Sequence, residues 1–395
     1  MSRLVVLSYG FRTFFLLAPV WAALSLAAWV LMLGGHLPAP ALPAGQWHAH
    51  EMLFGFTLAA AAGFFLTAST HWCNRPPLAG GRLAALAALW AAGRVAIALW
   101  GVLPPLLVAA VDLAFPLVLG AILSNTLLRH GQQRERLLPP VFLTFVLADL
   151  AFHAEWLGWL EGGAALGGRL FLAAVAFKIA VIAARIIPTF MEAWLPAHGR
   201  TDVTVRRAPS LEAAARWSIV AFGLADALAP QGSAIPMGAV AVTAWVAAAL
   251  NLVCLVGWQG WRCGRDPLMA VLHLGYLWVC VGLALKGAAV LGAGPVPALA
   301  HGIAAGAIGT WVLALMSRAS LGHTGRPLKA AWWMVPAYGA VVAGAVLRLA
   351  EGWAPAPWSP ALLAASAAAW AAGFLIFVGG YGPWLLRPRV DGKPG

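Results

Sequence analysis

Residues 14–33 read FFLLAPVWAALSLAAWVLML, twenty consecutive residues without a charged side chain. A helix needs about 20 apolar residues to cross the hydrocarbon core of a bilayer, so this stretch is long enough to span one. Further stretches of the same character follow it nearly without a break as far as Leu385. The sequence therefore predicts an all-α, polytopic membrane helix bundle with about twelve transmembrane helices.

The composition agrees with this fold class, because 62% hydrophobic and 10% charged residues exclude a soluble globular domain. The connections between the spans are short, and no extramembrane domain fits into them. We expect one integral-membrane domain over residues 1–395, and no convincing internal repeat is apparent. The predicted spans are 14–33, 49–72, 83–103, 105–128, 138–160, 166–190, 211–231, 235–258, 267–290, 296–318, 327–350 and 360–385.

Basic residues alternate between the connections: 18 of the 25 Lys and Arg lie at the termini and in the even-numbered connections. Cytoplasmic loops carry the excess of Lys and Arg, so both termini are predicted to be cytoplasmic, in a bacterial inner membrane. The net charge of +12 is then mainly a topology signal with some attraction to anionic lipid. Nucleic acid is not an expected partner, because the basic residues are spread over seven short segments.

Two histidines, His48 and His50, lie in the segment WHAHEM at residues 47–52, at the periplasmic mouth of the second span. On a continuous helix, residues two apart point about 200° away from each other, so they would address different sites. If the first turn is irregular, both could reach one metal. Glu51 could orient an imidazole, accept a proton or cap the helix start.

Two more histidines are predicted at the same depth, because His153 and His301 lie near the periplasmic ends of the fifth and tenth spans. The helical rise places both roughly 7–11 Å below the outer surface. His301 opens the run GIAAGAIG at residues 302–309, whose small side chains would let a helix or a flat cofactor approach closely. On the glycines alone, plain helix packing is the simpler interpretation.

Two other histidines lie nearer the cytoplasmic side: His273 on the ninth span and His323 in a loop. Arg185 precedes Pro188, where we expect the sixth helix to break, and could hold an anionic group such as a haem propionate. Charges at membrane depth must pair, face water or bind something. The charged residues predicted at membrane depth are Arg94, Asp112, Asp149, Lys178, Arg185, Asp226 and Lys286. Arg94 or Lys178 could pair with Asp112 or Asp149, or these residues together could form a proton path.

Several of these segments together resemble the NnrS family, haem- and copper-containing membrane proteins associated with the response to nitric oxide. The most specific are WHAHEM at 47–52 and LGHTGRP at 321–327. The others are FRTFF at 11–15, RPP at 75–77, RIIP at 185–188, LHLGY at 272–276, GAIGT at 306–310 and YGP at 381–383.

The resemblance implies haem and copper as cofactors, and neutral imidazole suits both iron and copper. The metal-ligand candidates that it implies are His48, His50, His153, His273, His301 and His323. Arg185 is a further cofactor-binding candidate. The catalytic residue is unknown, with Glu51 a candidate proton acceptor or ligand orienter.

The leading hypothesis is a haem- and copper-binding inner-membrane protein that binds or turns over nitric oxide or another small diatomic ligand. Its partners would be membrane lipid and an electron donor, a quinol or a cytochrome. The first alternative is a proton-coupled secondary transporter, which the twelve spans permit and the missing repeat disfavours. The second is a sensor or cofactor-handling protein without turnover, so the reaction type stays open.

Overall fold

The structure is a computed structural model that describes residues 4–38, 40–133, 135–229 and 236–393. Over these residues the chain forms twelve long helices and no strand, which confirms the all-α prediction. Arg3 and Arg134, two of the basic residues used for the topology, lie outside the described residues. The helices are α1 Gly10–Leu33, α2 Ala44–Cys73, α3 Gly81–Ala98, α4 Pro105–His130, α5 Pro139–Trp156, α6 Gly163–Ala197, α7 Pro209–Leu228, α8 Met237–Gly257, α9 Pro267–Val290, α10 Val296–His323, α11 Met334–Glu351 and α12 Ser359–Leu385.

Eleven of these helices are long and apolar enough to cross a membrane, and α7 is the exception among the described residues. Its 20 residues include the charged side chains of Glu212, Arg216 and Asp226. Asp226 forms an ion pair with Lys286 of α9, with 3.1 Å between Nζ and Oδ2, and both side chains are buried. Because one of the charges is neutralised inside the protein, α7 remains compatible with a membrane span. Residues 230 and 231 of the predicted seventh span lie outside the described residues.

The predicted break of the sixth helix at Pro188 is wrong, because α6 continues through this proline to Ala197. A proline inside a helix frees the carbonyl four residues earlier, here that of Ala184. Nη2 of Arg207 donates a hydrogen bond to the Ala184 carbonyl at 3.4 Å. A neighbouring side chain thus satisfies the freed backbone group, which is how proline is tolerated inside membrane helices.

Two of the helices contain a π-helical segment close to their first turn. In α2 it covers Glu51–Thr57 and follows His50 directly; in α10 it covers Gly302–Ala307 and follows His301 directly. A π-helical segment widens the backbone spiral and is frequent at functional sites. The irregularity considered for the start of the second span is therefore present, immediately after the histidine pair.

The backbone contacts divide the chain into two compact units. The first consists of Met1–Phe171, Leu315–Leu328 and Ala371–Gly395, and the second of Leu172–Ala314 and Lys329–Trp370. His48, His50, His153 and His323 belong to the first unit, and His273 and His301 to the second. The single domain over residues 1–395 and the cytoplasmic termini stay predictions.

If α7 crosses the membrane, the chain makes an even number of crossings and both termini lie on the same side. A fluorescent protein fused to the C-terminus should then fluoresce in a bacterial host, and alkaline phosphatase fused there should be inactive. Protease protection of an N-terminal tag would show independently that the N-terminus is cytoplasmic. If the C-terminal phosphatase is then active and the fluorescent protein is dark, only eleven helices cross the membrane.

Candidate metal centre

Four buried side chains from three helices converge in the first unit: His50 of α2, Asp112 of α4, and Asp149 and His153 of α5. One ligand atom from each lies within 4.8 Å of the others. In the described part of the chain, this is the one group of three or more His, Cys, Asp and Glu residues that could hold a metal ion. We call it the His/Asp cluster.

Local sequence explains why these side chains can meet. Asp149 and His153 are four residues apart on one helix, a spacing that places both on the same face. Asp112 packs against Gly93 of α3, where an added Cβ would come within 2.6 Å of its Oδ1. A side chain at position 93 would therefore push Asp112 out of place.

The imidazoles and carboxylates of the cluster are in direct contact. Nε2 of His50 lies 3.0 Å from Oδ2 of Asp112 and 3.0 Å from Oδ1 of Asp149. Nε2 of His153 lies 2.9 Å from Oδ2 of Asp112 and 3.8 Å from Oδ1 of Asp149. Both Nε2 atoms thus face the same pair of carboxylates, as two ligands of one ion would.

Two further buried residues hold the cluster from outside. Nδ1 of His50 is 3.1 Å from Oε1 of Glu51, so this carboxylate can accept the Nδ1 proton and hold the ring with Nε2 directed at the two aspartates. Arg94 of α3 donates from Nη1 to the same Glu51 oxygen at 2.7 Å and from Nη2 to Oδ1 of Asp112. A carboxylate on the far nitrogen of an imidazole is a common means of orienting a metal-binding histidine.

Aromatic rings cover the cluster. The rings of Trp156 and Phe152 lie 5.0 Å and 5.7 Å from that of His50, and the Trp100 ring lies 6.3 Å from that of His153, centroid to centroid. Gln46 ties the start of α2 to the end of α5, accepting from Nε1 of Trp156 and donating to Glu155, both at 2.7 Å. These apolar walls lower the local dielectric and strengthen every charge interaction inside.

The formal charges of the cluster do not cancel. With Asp112, Asp149 and Glu51 ionised, three negative charges face the single positive charge of Arg94. Uncompensated buried charge is costly, so the site needs two further positive charges. One divalent cation bound by two neutral imidazoles supplies them, and so do two protons.

The residues present fit a metal ion. Oδ2 of Asp149, Oε2 of Glu51 and Nδ1 of His153 are buried and have no hydrogen-bond partner among the described residues. Two imidazole nitrogens and two carboxylate oxygens form a donor set that suits copper(II) and other borderline divalent metals. The cluster does not fit a haem between its two histidines, because the Asp112 and Asp149 carboxylates occupy the space that both Nε2 atoms face.

The structure places His48 away from the cluster. Its ring stacks on that of Trp29 of α1, with centroids 3.9 Å apart and an angle of 18° between the planes. His48 and His50 thus address different surroundings, as residues two apart on a helix should.

His301 and His273 lie in the second unit, each with its Nδ1 turned to a backbone carbonyl four residues earlier. The distances are 2.6 Å from His301 to Pro297 O and 2.9 Å from His273 to Met269 O. The Cys263 sulfur lies 3.8 Å from Nδ1 of His273. Burial raises the pKa of Cys263 to about 11, so this thiol stays protonated at neutral pH and is not a ready thiolate ligand.

The last two predicted site residues lie elsewhere. His323 ends α10, and its ring stacks on that of His71 and packs against that of Phe11, each at 5.3 Å between centroids. Arg185 is half-buried on α6 in the second unit, and its carbonyl accepts a hydrogen bond from Thr189.

Sequence reasoning treated the intramembrane charges and the histidines as separate sets, whereas the structure joins them. The predicted pairing of Arg94 with Asp112 is present. Asp112 and Asp149 were not among the predicted metal ligands, although the four-residue spacing of Asp149 and His153 is a signal that could have placed Asp149 beside His153.

The fold and the cluster together define a multi-pass membrane protein with a buried site suited to a metal ion. The family model described as "NnrS protein" matches residues 5–389, nearly the whole chain. The chain therefore belongs to the NnrS family, as its resemblance indicated. No curated protein and no solved structure matches it.

Replacing Arg94 by Leu should destabilise the protein strongly, because Asp112 and Glu51 would lose their buried cation. Breaking a buried ion pair on one side costs about 3–5 kcal/mol, and we expect a loss of that size in the free energy of unfolding. Thermal and denaturant unfolding of the metal-free protein in detergent would measure it.

The matched control is Glu192→Gln, which removes the carboxylate of the exposed pair with Arg207, 3.9 Å apart. An exposed pair contributes about 0–1 kcal/mol, so this variant should unfold almost like the parent protein. Equal effects of the two substitutions would contradict a structural role for Arg94 in the cluster.

Proposed function

We propose that this NnrS-family protein is a copper-binding membrane protein of the nitric oxide response, with copper held by the His/Asp cluster. His50, His153, Asp112 and Asp149 would be the ligands, and Glu51 would orient His50. The observation that carries the proposal is the convergence of four buried donor atoms within 4.8 Å at a site with surplus negative charge. Copper(II) leads the divalent metals in affinity for such nitrogen and oxygen donors.

Each residue of the site has a task that follows from its position. The carboxylates offset the charge of the ion, Glu51 accepts a hydrogen bond from Nδ1 of His50, and Arg94 holds Glu51 and Asp112 in place through its two hydrogen bonds. The aromatic rings limit the access of water. When bound, copper supplies a redox-active centre with a coordination position for a small diatomic ligand such as nitric oxide.

Haem is the second cofactor that we propose, on the strength of family membership, and its place lies outside the His/Asp cluster. An electron donor, a quinol or a cytochrome, and the lipid of the bacterial inner membrane complete the proposed partners. The protein would bind, sense or turn over nitric oxide, and steady-state consumption of nitric oxide with an electron donor separates turnover from the other two.

A proton-coupled transporter is the second candidate, and the charge of the cluster is the observation that favours it. Two protons would neutralise the site as well as one divalent metal does, and buried carboxylates and imidazoles often form proton relays in transporters. Protein purified with a chelator and reconstituted in vesicles distinguishes the two functions: proton movement without metal supports transport, and its absence supports the metal site.

Asp149→Asn and His153→Gln should each lower the copper content of the purified protein about tenfold or more, because each removes a ligand while keeping the shape of the side chain. Copper would be measured by mass spectrometry. Pulsed electron paramagnetic resonance of copper(II) should detect two imidazole nitrogens in the parent protein and one in His153→Gln.

The control is His36→Gln, since His36 is exposed in the loop after α1. It should retain the copper content of the parent protein. Full copper occupancy in both cluster variants would place the copper elsewhere and overturn the proposal.

A further inference from the structure

The segments that begin with His50 and His301 can be aligned without a gap over 27 residues. Residues 50–76 read HEMLFGFTLAAAAGFFLTASTHWCNRP, and residues 301–327 read HGIAAGAIGTWVLALMSRASLGHTGRP. Without any gap, the two share the histidine, a glycine five residues later, an Ala-Ser pair, and a final Arg-Pro. These six identities among 27 aligned residues point to a repeat that the spacing of the apolar stretches did not indicate.

The same two segments share their local structure. Each histidine is followed directly by a π-helical segment, and in the described residues these are the two such segments. Each helix ends before a residue in the left-handed region, Asn74 with φ 48° or Gly325 with φ 76°. The Arg-Pro pair follows immediately in both cases, so backbone irregularities and sequence coincide at both ends.

The helix before each segment packs on it in the same way. Gly55 lies against Trp21 of α1, where an added Cβ would come within 2.8 Å of the indole Cδ1. Gly306 lies against Trp278 of α9, where an added Cβ would come within 2.5 Å of Cδ2. A second contact lies four residues after each tryptophan. In the first helix pair Ser25 contacts Met52, and in the second Gly282 contacts Ile303. Met52 and Ile303 occupy the same position in the alignment.

The helix after each segment supplies an arginine near the histidine. In the first copy it is Arg94 of α3, which donates to Glu51, and in the second it is Arg348 of α11, the helix that packs on Gly302–Ala307. We infer that α1–α3 and α9–α11 are two copies of one structural unit. His301 is then the counterpart of His50.

The second copy has lost the acids and the bulk of the first. Gly302 stands in place of Glu51, Ala304 in place of Leu53, and Ala305 in place of Phe54. Whereas His50, Leu53 and Phe54 are buried, His301, Ala304 and Ala305 are partly exposed on one face of α10. Glu351, the acid of the following helix α11, is already paired with Arg348 at 2.5 Å.

These differences specify a different ligand. A single imidazole without carboxylates is a poor cage for a bare divalent ion, but it suits a metal complex that brings its own in-plane ligands. Nδ1 of His301 donates to Pro297 O, which leaves Nε2 as the unprotonated nitrogen. Arg348 suits acidic groups on the complex, and the small face of Ala304 and Ala305 suits a flat one.

The repeat thus assigns His301 as the protein ligand of the haem, while its counterpart His50 serves the copper cluster. The assignment rests on the proposed presence of haem and deepens it. His50 and His301 thus occupy equivalent positions in the two copies but bind different cofactors, because the residues around them have diverged.

The experiment compares haem and copper in the same full-length protein, purified in detergent from cells supplied with copper and a haem precursor. Haem is measured by its Soret band and as the pyridine haemochrome, and copper by mass spectrometry. His301→Ala should lower the haem content at least about tenfold and leave the copper content unchanged. Asp149→Asn should do the reverse.

Two further variants separate ligand loss from misfolding. Ala305→Phe restores the first copy's bulk beside His301 and should also lower haem without changing copper. His198→Ala is the matched control, since exposed His198 makes the same hydrogen bond to a carbonyl four residues earlier, at 2.8 Å. It should keep both cofactors.

The outcomes distinguish this assignment from the proposed function. Parent protein without haem would end the haem proposal itself. If His301→Ala retains the haem content of the parent protein, the assignment to His301 is overturned. It is also overturned if His301→Ala and Asp149→Asn each lose haem and copper in parallel.

Discussion

The contact of Arg94 with Asp112 and Glu51 is the interaction on which the rest of the site depends. A membrane interior gives no water to a charged side chain, so three carboxylates can be placed there only with compensation. Arg94 compensates one charge and fixes the positions of two of the acids. The remaining negative charge and the two imidazoles are the features on which the proposed copper site rests.

Much of the fold could be predicted from the sequence, because apolar runs of about 20 residues are a direct consequence of bilayer thickness. The twelve helices were predicted this way, but the sequence did not show that the buried charge of Asp226 in α7 is neutralised by Lys286 from a distant part of the chain. The continuation of α6 through Pro188 was equally hidden, because it depends on Arg207, nineteen residues further along.

The candidate site was predicted only in part. Depth arguments brought His50 and His153 to one level, and the same argument included His301, which lies in the other compact unit. Helical depth is a local property, whereas the lateral arrangement of helices follows from packing that no single span encodes. Asp149 and His153 share a helix face, so that half of the cluster could be predicted from their spacing. The position of Asp112 on α4 could not, because it depends on the absence of a side chain at Gly93 of α3.

The widened turns after His50 and His301 have one more consequence. Each can be described as a single additional amino acid accommodated in a helix whose flanking turns remain regular. Deleting one amino acid between Glu51 and Thr57 would restore an ordinary helix and turn the preceding residues by about 100° relative to the part of α2 that follows Thr57. His50 would then swing from the carboxylates toward a different neighbour. The rotation of this helix about its axis thus decides which side chains His50 meets.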